Sequence, residues 1–368
     1  MDVLARNLSA AHRVTVLSSA LLTLAAAGTV VAGAPQVARF VVSGLALAAL
    51  AAVVGQSVEA VGERLGPGAT GLLQSTLGNL PELFVGIFAL RQGLTTVVQA
   101  ALVGSVLGNA LLVLGLAFIA GGLRHGTQRF DPEEPRLNAS LLLLAVGALV
   151  VPTLAHQLNT PAASHAGALS DACAIVLLVV YAASVPFYLR RRSPPVARSA
   201  GEPAGTGAGV PAGAPAWPPS LAIGLLALAS LGAALVSNWF VDALVPATRA
   251  LGLSQAFTGL VVVAIASNAV EHAVGVRFAL KAKPEFAIST TLNSPLQVAL
   301  LLTPVLVLIS GSIGAHQLTL VFPPLLVAAL AVAAVVVAVV IYDGEYSWIE
   351  GVALVGLYCI IAAAFWWG

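Results

Sequence analysis

Nearly every segment between turn signals in this chain is apolar. Eleven of those segments read as membrane-spanning helices: residues 14–33, 38–61, 69–90, 94–120, 137–155, 168–189, 220–245, 255–280, 285–310, 317–342 and 347–367. About 20 residues at 1.5 Å rise are enough to cross a hydrocarbon core ~30 Å thick. The predicted class is therefore an all-α integral membrane protein with 11 transmembrane helices. Composition agrees, because 59% of the 368 residues are hydrophobic, only 8% are charged and the mean hydropathy is +0.99. A water-soluble protein could not cover that much apolar surface. Arg6 and Arg13 precede the first run, which ends in "VAGAP". The length of the charged stretch and Pro35 after the small-residue site favour a retained helix over a cleaved signal.

Charge placement sets the expected orientation, since cytoplasmic connections carry the excess of Lys and Arg. With the N-terminus inside, the inner connections hold Arg6, Arg13, Arg64, Arg124, Arg129, Arg136, Arg190, Arg191, Arg192, Arg198, Lys281 and Lys283, and the outer ones hold only Arg39, Arg91 and Arg249. The expected location is the bacterial inner (cell) membrane, with the C-terminus outside. The stretch "RRRSPPVARSAGEPAGTGAGVPAGAPAWPPS" has linker composition, too poor in apolar residues to order itself. It divides the chain into an N-terminal helix (1–34), a first unit (35–189), a cytoplasmic linker (190–219) and a second unit (220–368).

The two units carry an internal repeat. "STLGNLPELFVGIFALRQG" is echoed by "AIASNAVEHAVGVRFALKAK" at an offset of 189, which takes Asn79 to Asn268 and Glu82 to Glu271. The register persists across a connection, because Ser105 lies 23 residues after Glu82 and Ser294 lies 23 after Glu271. Five helices per repeat is an odd number and forces the copies into opposite orientations. That is the inverted plan of secondary transporters, with sites near the bilayer midplane where the repeats meet.

Glu82 and Glu271 are expected near the centres of their helices. A charge at that depth costs ~2.5 to 3.5 kcal/mol on insertion scales and calls for a cation, a proton or a basic partner. Pro81 lacks an N–H and would free backbone oxygens near Leu77 and Gly78. Those oxygens, with Asn79 and Glu82, are hard ligands; Ser267, Asn268 and Glu271 match them in the second copy, where a helix break is less assured without proline. Ser105 and Asn109 in "GSVLGN", and Asn293, Ser294 and Gln297 in "NSPLQ", add neighbouring oxygens. The inventory suits calcium, which takes six to eight oxygens at roughly 2.3 to 2.6 Å, although sodium could use the same set. Each acid could hold either a proton or a share of the ion, which makes an exchanger rather than a channel.

Blander readings apply to several residues. A membrane Asn or Ser is commonly interhelical glue. His272 could relay protons or be a hydrogen-bonded structural histidine, and Arg277 could snorkel or pair with an acid. Glu59 and Glu63 are either solvated residues at the inner end of the second segment or a vestibule that draws in cations; Asp242 could serve the outer side. "RFDPEEPR" (129–136) reads as a cytoplasmic loop balanced by arginines. Cys173 and Cys359 lack paired spacing and read as small buried packing residues. An intramembrane protease would need something like H-E-x-x-H, whereas the chain offers only Glu271-His272, so no enzyme is expected. No cofactor and no nucleic-acid partner are expected either, only the bilayer and the transported ions.

"EAVGERLGPGATGLLQSTLGNLPELFVGIFALRQG" followed by "LVGSVLGNALLVLGLAF", and "GLSQAFTGLVVVAIASNAVEHAVGVRFALK" followed by "NSPLQVAL", resemble the paired repeats of the cation/proton exchangers, a Ca2+/H+ antiporter family of the calcium/cation antiporter superfamily. The resemblance covers residues 38–367. It implies calcium extrusion in exchange for protons, with Glu82 and Glu271 binding both. The family motifs match at Gly78, Asn79, Glu82, Gly104 and Ser105, and at Asn268, Glu271, His272, Ser294 and Gln297. Ser267 and Asn293 replace glycines usual in the family. Asn238 and Val245 stand where relatives tend to carry acids, with Asp242 displaced, and the acidic stretch many relatives place between the halves is absent. A sodium or potassium/proton antiporter, or a sodium/calcium antiporter, of the same fold is the rival reading.

Overall fold

The computed structural model describes residues 8–62, 77–190, 217–313 and 316–366. Glu63, the start of the third predicted segment and nearly all of the predicted linker lie outside the described residues. Helix α1 (Ala10–Val31) is N-capped by Ser9 and is followed by α2 (Gln36–Gly62) and α3 (Leu80–Arg91). Helix α4 runs through Thr95–Leu107, a π-helical turn at Gly108–Val113, and Leu114–His125. Next come α5 (Glu133–Gln157), α6 (Ala166–Arg190) and α7 (Pro219–Ala250). Helix α8 comprises Gln255–Phe257, a π-helical turn at Thr258–Val263, and Ala264–Leu280. Helix α9 repeats the plan of α4 with Pro284–Gln297, a π-helical turn at Val298–Leu302, and Thr303–Ile313. Helices α10 (Pro324–Val340) and α11 (Trp348–Trp366) complete the chain. Among the described residues, eight spans are long and apolar enough to cross a membrane, or nine if bent α8 is counted as one.

The expected segments correspond to these helices with shifts of a few residues, and three differences carry physical content. First, α3 starts at Leu80 after a turn at Gly78–Asn79, with Pro81 in its first turn, where a missing N–H costs nothing. Glu82 therefore sits in the first turn of α3 rather than near the middle of a helix over 69–90. Second, the apolar run 317–342 is not all helix. Residues 316–323 are not helical, and the helix begins only at Pro324. Leu318, Leu320 and Phe322 of this segment are buried, and backbone polar groups along it are met by side chains. Gln99 Nε2 donates to Thr319 O (3.0 Å) and Val321 O (2.9 Å), Thr153 Oγ1 accepts from Phe322 N–H (2.9 Å), and Ser170 Oγ accepts from Leu320 N–H (2.9 Å). Third, Cys173 is half-buried and packs against the core, whereas Cys359 is exposed and is not the interior packing residue expected. In a bilayer the outer face of a helix is as apolar as its inner face, so residue type alone does not place it inside.

The second motif breaks without a proline. The halves of α8, Gln255–Ala269 and Glu271–Leu280, meet at 66°. The 189-residue register carries Pro81 to Val270, the position of this bend. Here side chains compete for the backbone. Ser267 Oγ donates to Val263 O (3.0 Å), and Asn268 Nδ2 donates to Ala264 O (2.8 Å). Such back-bonding to the preceding turn bends helices, and the adjoining π-helical turn adds to it.

Helix α4 is the most buried span and α1 the least. The backbones of α4 and α8 touch: a Cβ on Gly104 would stand 2.1 Å from Leu260 O, and one on Gly259 would stand 2.7 Å from Val97 O. Close backbone approach at small residues is how membrane helices gain packing energy without a hydrophobic drive. The long pair α2 and α7 flanks this centre, with Phe40 stacked on Phe240 at 4.8 Å. Two short strands, β1 (Gln128–Arg129) and β2 (Glu345–Tyr346), pair antiparallel and tie the α4–α5 connection to the α10–α11 connection. Tyr346 anchors them by stacking on Phe118 at 3.9 Å.

Candidate ion-binding site

The two motif copies, 189 residues apart in sequence, meet in one polar cluster between α3, α4, α8 and α9. Glu82 Oε1 accepts from Asn268 Nδ2 (2.6 Å), Ser105 Oγ (3.0 Å) and Ser267 Oγ (3.3 Å). Glu271 Oε2 accepts from Ser294 Oγ (2.7 Å) and Asn109 Nδ2 (3.5 Å). Each glutamate thus bonds the serine 23 residues further along its own repeat, as the register predicts.

Asn109 joins the halves. Its Nδ2 lies 3.1 Å from Asn268 Oδ1, 3.0 Å from Ser294 Oγ and 3.3 Å from Ser105 O. The internal repeat does not mark it, because the register maps Asn109 onto Val298, whose side chain has no polar group. Asn79 Nδ2 reaches across to Gln297 Oε1 at 3.4 Å. Gly78 forms the turn before α3.

Three atoms of this cluster are buried without a hydrogen-bond partner: Glu82 Oε2, Asn109 Oδ1 and His272 Nε2. The first two are acceptors and hard oxygens. Orphaned acceptors in a protein interior are costly and rare. His272 Nε2 faces Gly108, where a Cβ would lie 3.9 Å away, and has no hydrogen-bond partner. Among the described residues no three His, Cys, Asp or Glu side chains cluster.

Beside Glu82 lies a narrow cavity of about 30 Å³, walled mainly by Val85, Ala89, Val97, Leu302 and Leu306 and reaching Ser105 and Ser267. Glu271 has no place in that lining.

The sodium/calcium exchanger protein model matches residues 35–189 and 221–367. The chain belongs to this exchanger family. Among its relatives is the Ca(2+)/H(+) antiporter of Synechocystis sp., 37% identical over 89% of this chain and 90% of that protein. The Ca(2+)/H(+) antiporter ChaA of Bacillus subtilis is 33% identical over 90% of this chain and 92% of its own length. The solved structure of native YfkE superposes with a TM-score of 0.79 at 30% identity, covering 96% of this chain and 99% of that one. The exchanger is thus an integral membrane transporter by family.

The remaining expected residues of this exchanger lie apart from the cluster. Glu59 is exposed near the end of α2. Asp242 is exposed on α7, accepting from Gln92 Nε2 (2.6 Å) and Asn238 Nδ2 (3.3 Å). Arg277 is exposed on α8.

Proposed function

We propose that this exchanger-family protein moves Ca2+ out of the cytoplasm in exchange for external protons by alternating access, with Glu82 and Glu271 as shared binding groups. The observation that carries this reading is the meeting of both repeat glutamates in one buried cluster that also holds orphaned acceptor oxygens. With both carboxylates bare, the site carries two negative charges in an apolar interior, at a cost of several kcal/mol. One Ca2+ or two protons neutralise it. If only neutral forms of the site can switch sides, the empty carrier is trapped and flux of one ion requires the other.

Asn79, Ser105, Asn268, Ser294, Gln297 and the carbonyl of Gly78 would complete a hard-oxygen shell of the kind calcium takes. His272, beside the cluster, is the candidate proton relay. Glu59 and Glu63 on the inner side and Asp242 on the outer side would attract cations. The named activity of the Synechocystis and Bacillus relatives supports the choice of ions.

The same reading includes eleven crossings: an N-terminal helix (1–34), inverted five-helix repeats (35–189 and 220–368), and a cytoplasmic linker (190–219), with the N-terminus inside and the C-terminus outside a bacterial inner membrane. Contacts between connections support it, because each joins segments assigned to one side. Inside, β1 pairs with β2 and His125 Nε2 meets Leu280 O at 3.0 Å. Outside, Gln92 meets Asp242, Ser254 Oγ meets Phe365 O at 2.6 Å, and Gln317 meets Asp171 at 3.2 Å.

The test is reconstitution into liposomes with an imposed pH gradient, following calcium and proton movement for the wild type, Glu82→Gln and Glu271→Gln. Gradient-driven calcium flux that vanishes in both variants is the expected result. Flux of sodium or potassium in place of calcium would keep the architecture and overturn the substrate.

A further inference from the structure

The register that pairs Glu82 with Glu271 also pairs Gly78 with Ser267. The first copy thus has no side chain where the second carries a hydroxyl. Ser267 Oγ, on α8, reaches Glu82 Oε1 of the other copy at 3.3 Å, so Glu82 gains a third donor that Glu271 lacks. The same oxygen lies 3.0 Å from Val263 O and 3.3 Å from Ala264 O, and it accepts from Asn268 Nδ2 at 3.2 Å. Partners in both copies hold it in one place.

A hydroxyl has one proton and two lone pairs. Asn268 meets one lone pair of Ser267, and among the described residues no donor meets the other. Ser267 is also one of three polar side chains, with Glu82 and Ser105, in the lining of the cavity of about 30 Å³ beside Glu82; the other lining side chains are hydrocarbon. Glu82 Oε2, buried and without a hydrogen bond, belongs to the carboxylate that Ser267 holds through Oε1. Bending of α8 would explain the back-bonds to Val263 and Ala264. It does not explain the reach to Glu82, nor an acceptor left over in the lining of a cavity with room for little more than a bare ion or a water molecule.

We propose that Ser267 is a specificity-determining residue, whose fixed oxygen sets the largest divalent cation that Glu82 can hold. This rests on the exchange reading given above. Calcium takes oxygens at roughly 2.3 to 2.6 Å, and selectivity among such ions follows cavity size, ligand number and flexibility. A fixed oxygen cannot retreat from a larger ion, so it crowds strontium and, more strongly, barium, which carry the same charge on larger radii. Removing the CH2OH group costs calcium an oxygen and gives the larger ions room. Both effects move the preference the same way.

The experiment uses the full chain in reconstituted vesicles with an imposed pH gradient. It measures the KM for calcium and the inhibition constants of strontium and barium against calcium uptake, for the wild type, Ser267→Gly, Ser267→Ala and Ser267→Thr. The expected result is a barium-to-calcium ratio of these constants that falls about 3- to 10-fold in Ser267→Gly, the order of one oxygen contact, with strontium moving less. Ser267→Ala falls in the same direction by a smaller factor, because its methyl group keeps part of the volume, and it carries the test if Ser267→Gly does not fold. Ser267→Thr keeps the hydroxyl and holds or raises the ratio. A role confined to packing or to bending α8 would change maximal rates or all three constants together and leave the ratios alone. Wild-type ratios in Ser267→Gly and Ser267→Ala therefore overturn the proposal, and so does an equal fall in Ser267→Thr. Absence of calcium/proton exchange in the wild type would instead overturn the exchange reading, and this inference with it.

Discussion

The two copies of the motif have the same letters at the charged and amide positions and different surroundings. Glu82 starts a helix broken by proline, is held by three donors, and adjoins a cavity walled by hydrocarbon. Glu271 starts the second half of a helix bent by serine and asparagine, is held by two donors, and has no place in that cavity's lining. Gly104 and Asn293, which share a register position, show the divergence most sharply. Gly104 is pressed against the backbone of Leu260, whereas Asn293 occupies the space between α9 and α5 and bonds Asn138. A repeat conserves where the chemistry stands, and each half then solves its own packing.

The largest effect expected from breaking this comparison is a swap at that position. Gly104→Asn should yield no monodisperse protein in detergent, because even a Cβ meets a backbone oxygen at 2.1 Å. Asn293→Gly should fold, with a loss of about 1–2 kcal/mol from helix glycine and one missing hydrogen bond, read as a melting temperature a few degrees lower. Equal tolerance of both swaps would erase the asymmetry. A smaller contrast lies in the serines. Ser294→Ala leaves Glu271 with a single donor at 3.5 Å, while Ser105→Ala leaves Glu82 with two. Calcium KM should therefore rise about 10-fold or more in Ser294→Ala and less than about 3-fold in Ser105→Ala, within the ~1–3 kcal/mol span for hydrogen bonds to charged or unsatisfied groups. Reversal of that order would mean that donor count does not set the difference. The smallest effect should come from Val270→Pro, which copies Pro81 into a position where α8 already bends. Transport within about 3-fold of wild type is expected there, whereas Val274→Pro, one turn on, should abolish it by breaking an intact ladder at ~3 kcal/mol.

Much of this arrangement was legible before any coordinates. Apolar runs and turn signals located most of the helices within a few residues, the segments 69–90 and 317–342 excepted, and the 189-residue register named both glutamates and both serines that bond them. These features are local or repeated, so one chain displays them. Asn109 was visible only as a neighbour, because its role is to bridge halves and the register gives it no mate. The bonds of Glu134 to Ser289 and of Asn138 to Asn293 join residues 155 apart whose spacing follows no period.

Sequence by itself thus determined the membrane class, the repeat and the identity of the buried acids, since hydropathy and self-similarity are properties of the linear chain. Tertiary structure decided that residues 316–323 leave the helix, that Cys359 faces outward, and that the two acids share one cluster. Hydropathy records only transfer out of water, and lipid and protein interior satisfy it equally. Which side of a helix meets protein, and which buried donors find which acceptors, depends on how helices rotate and bend against one another.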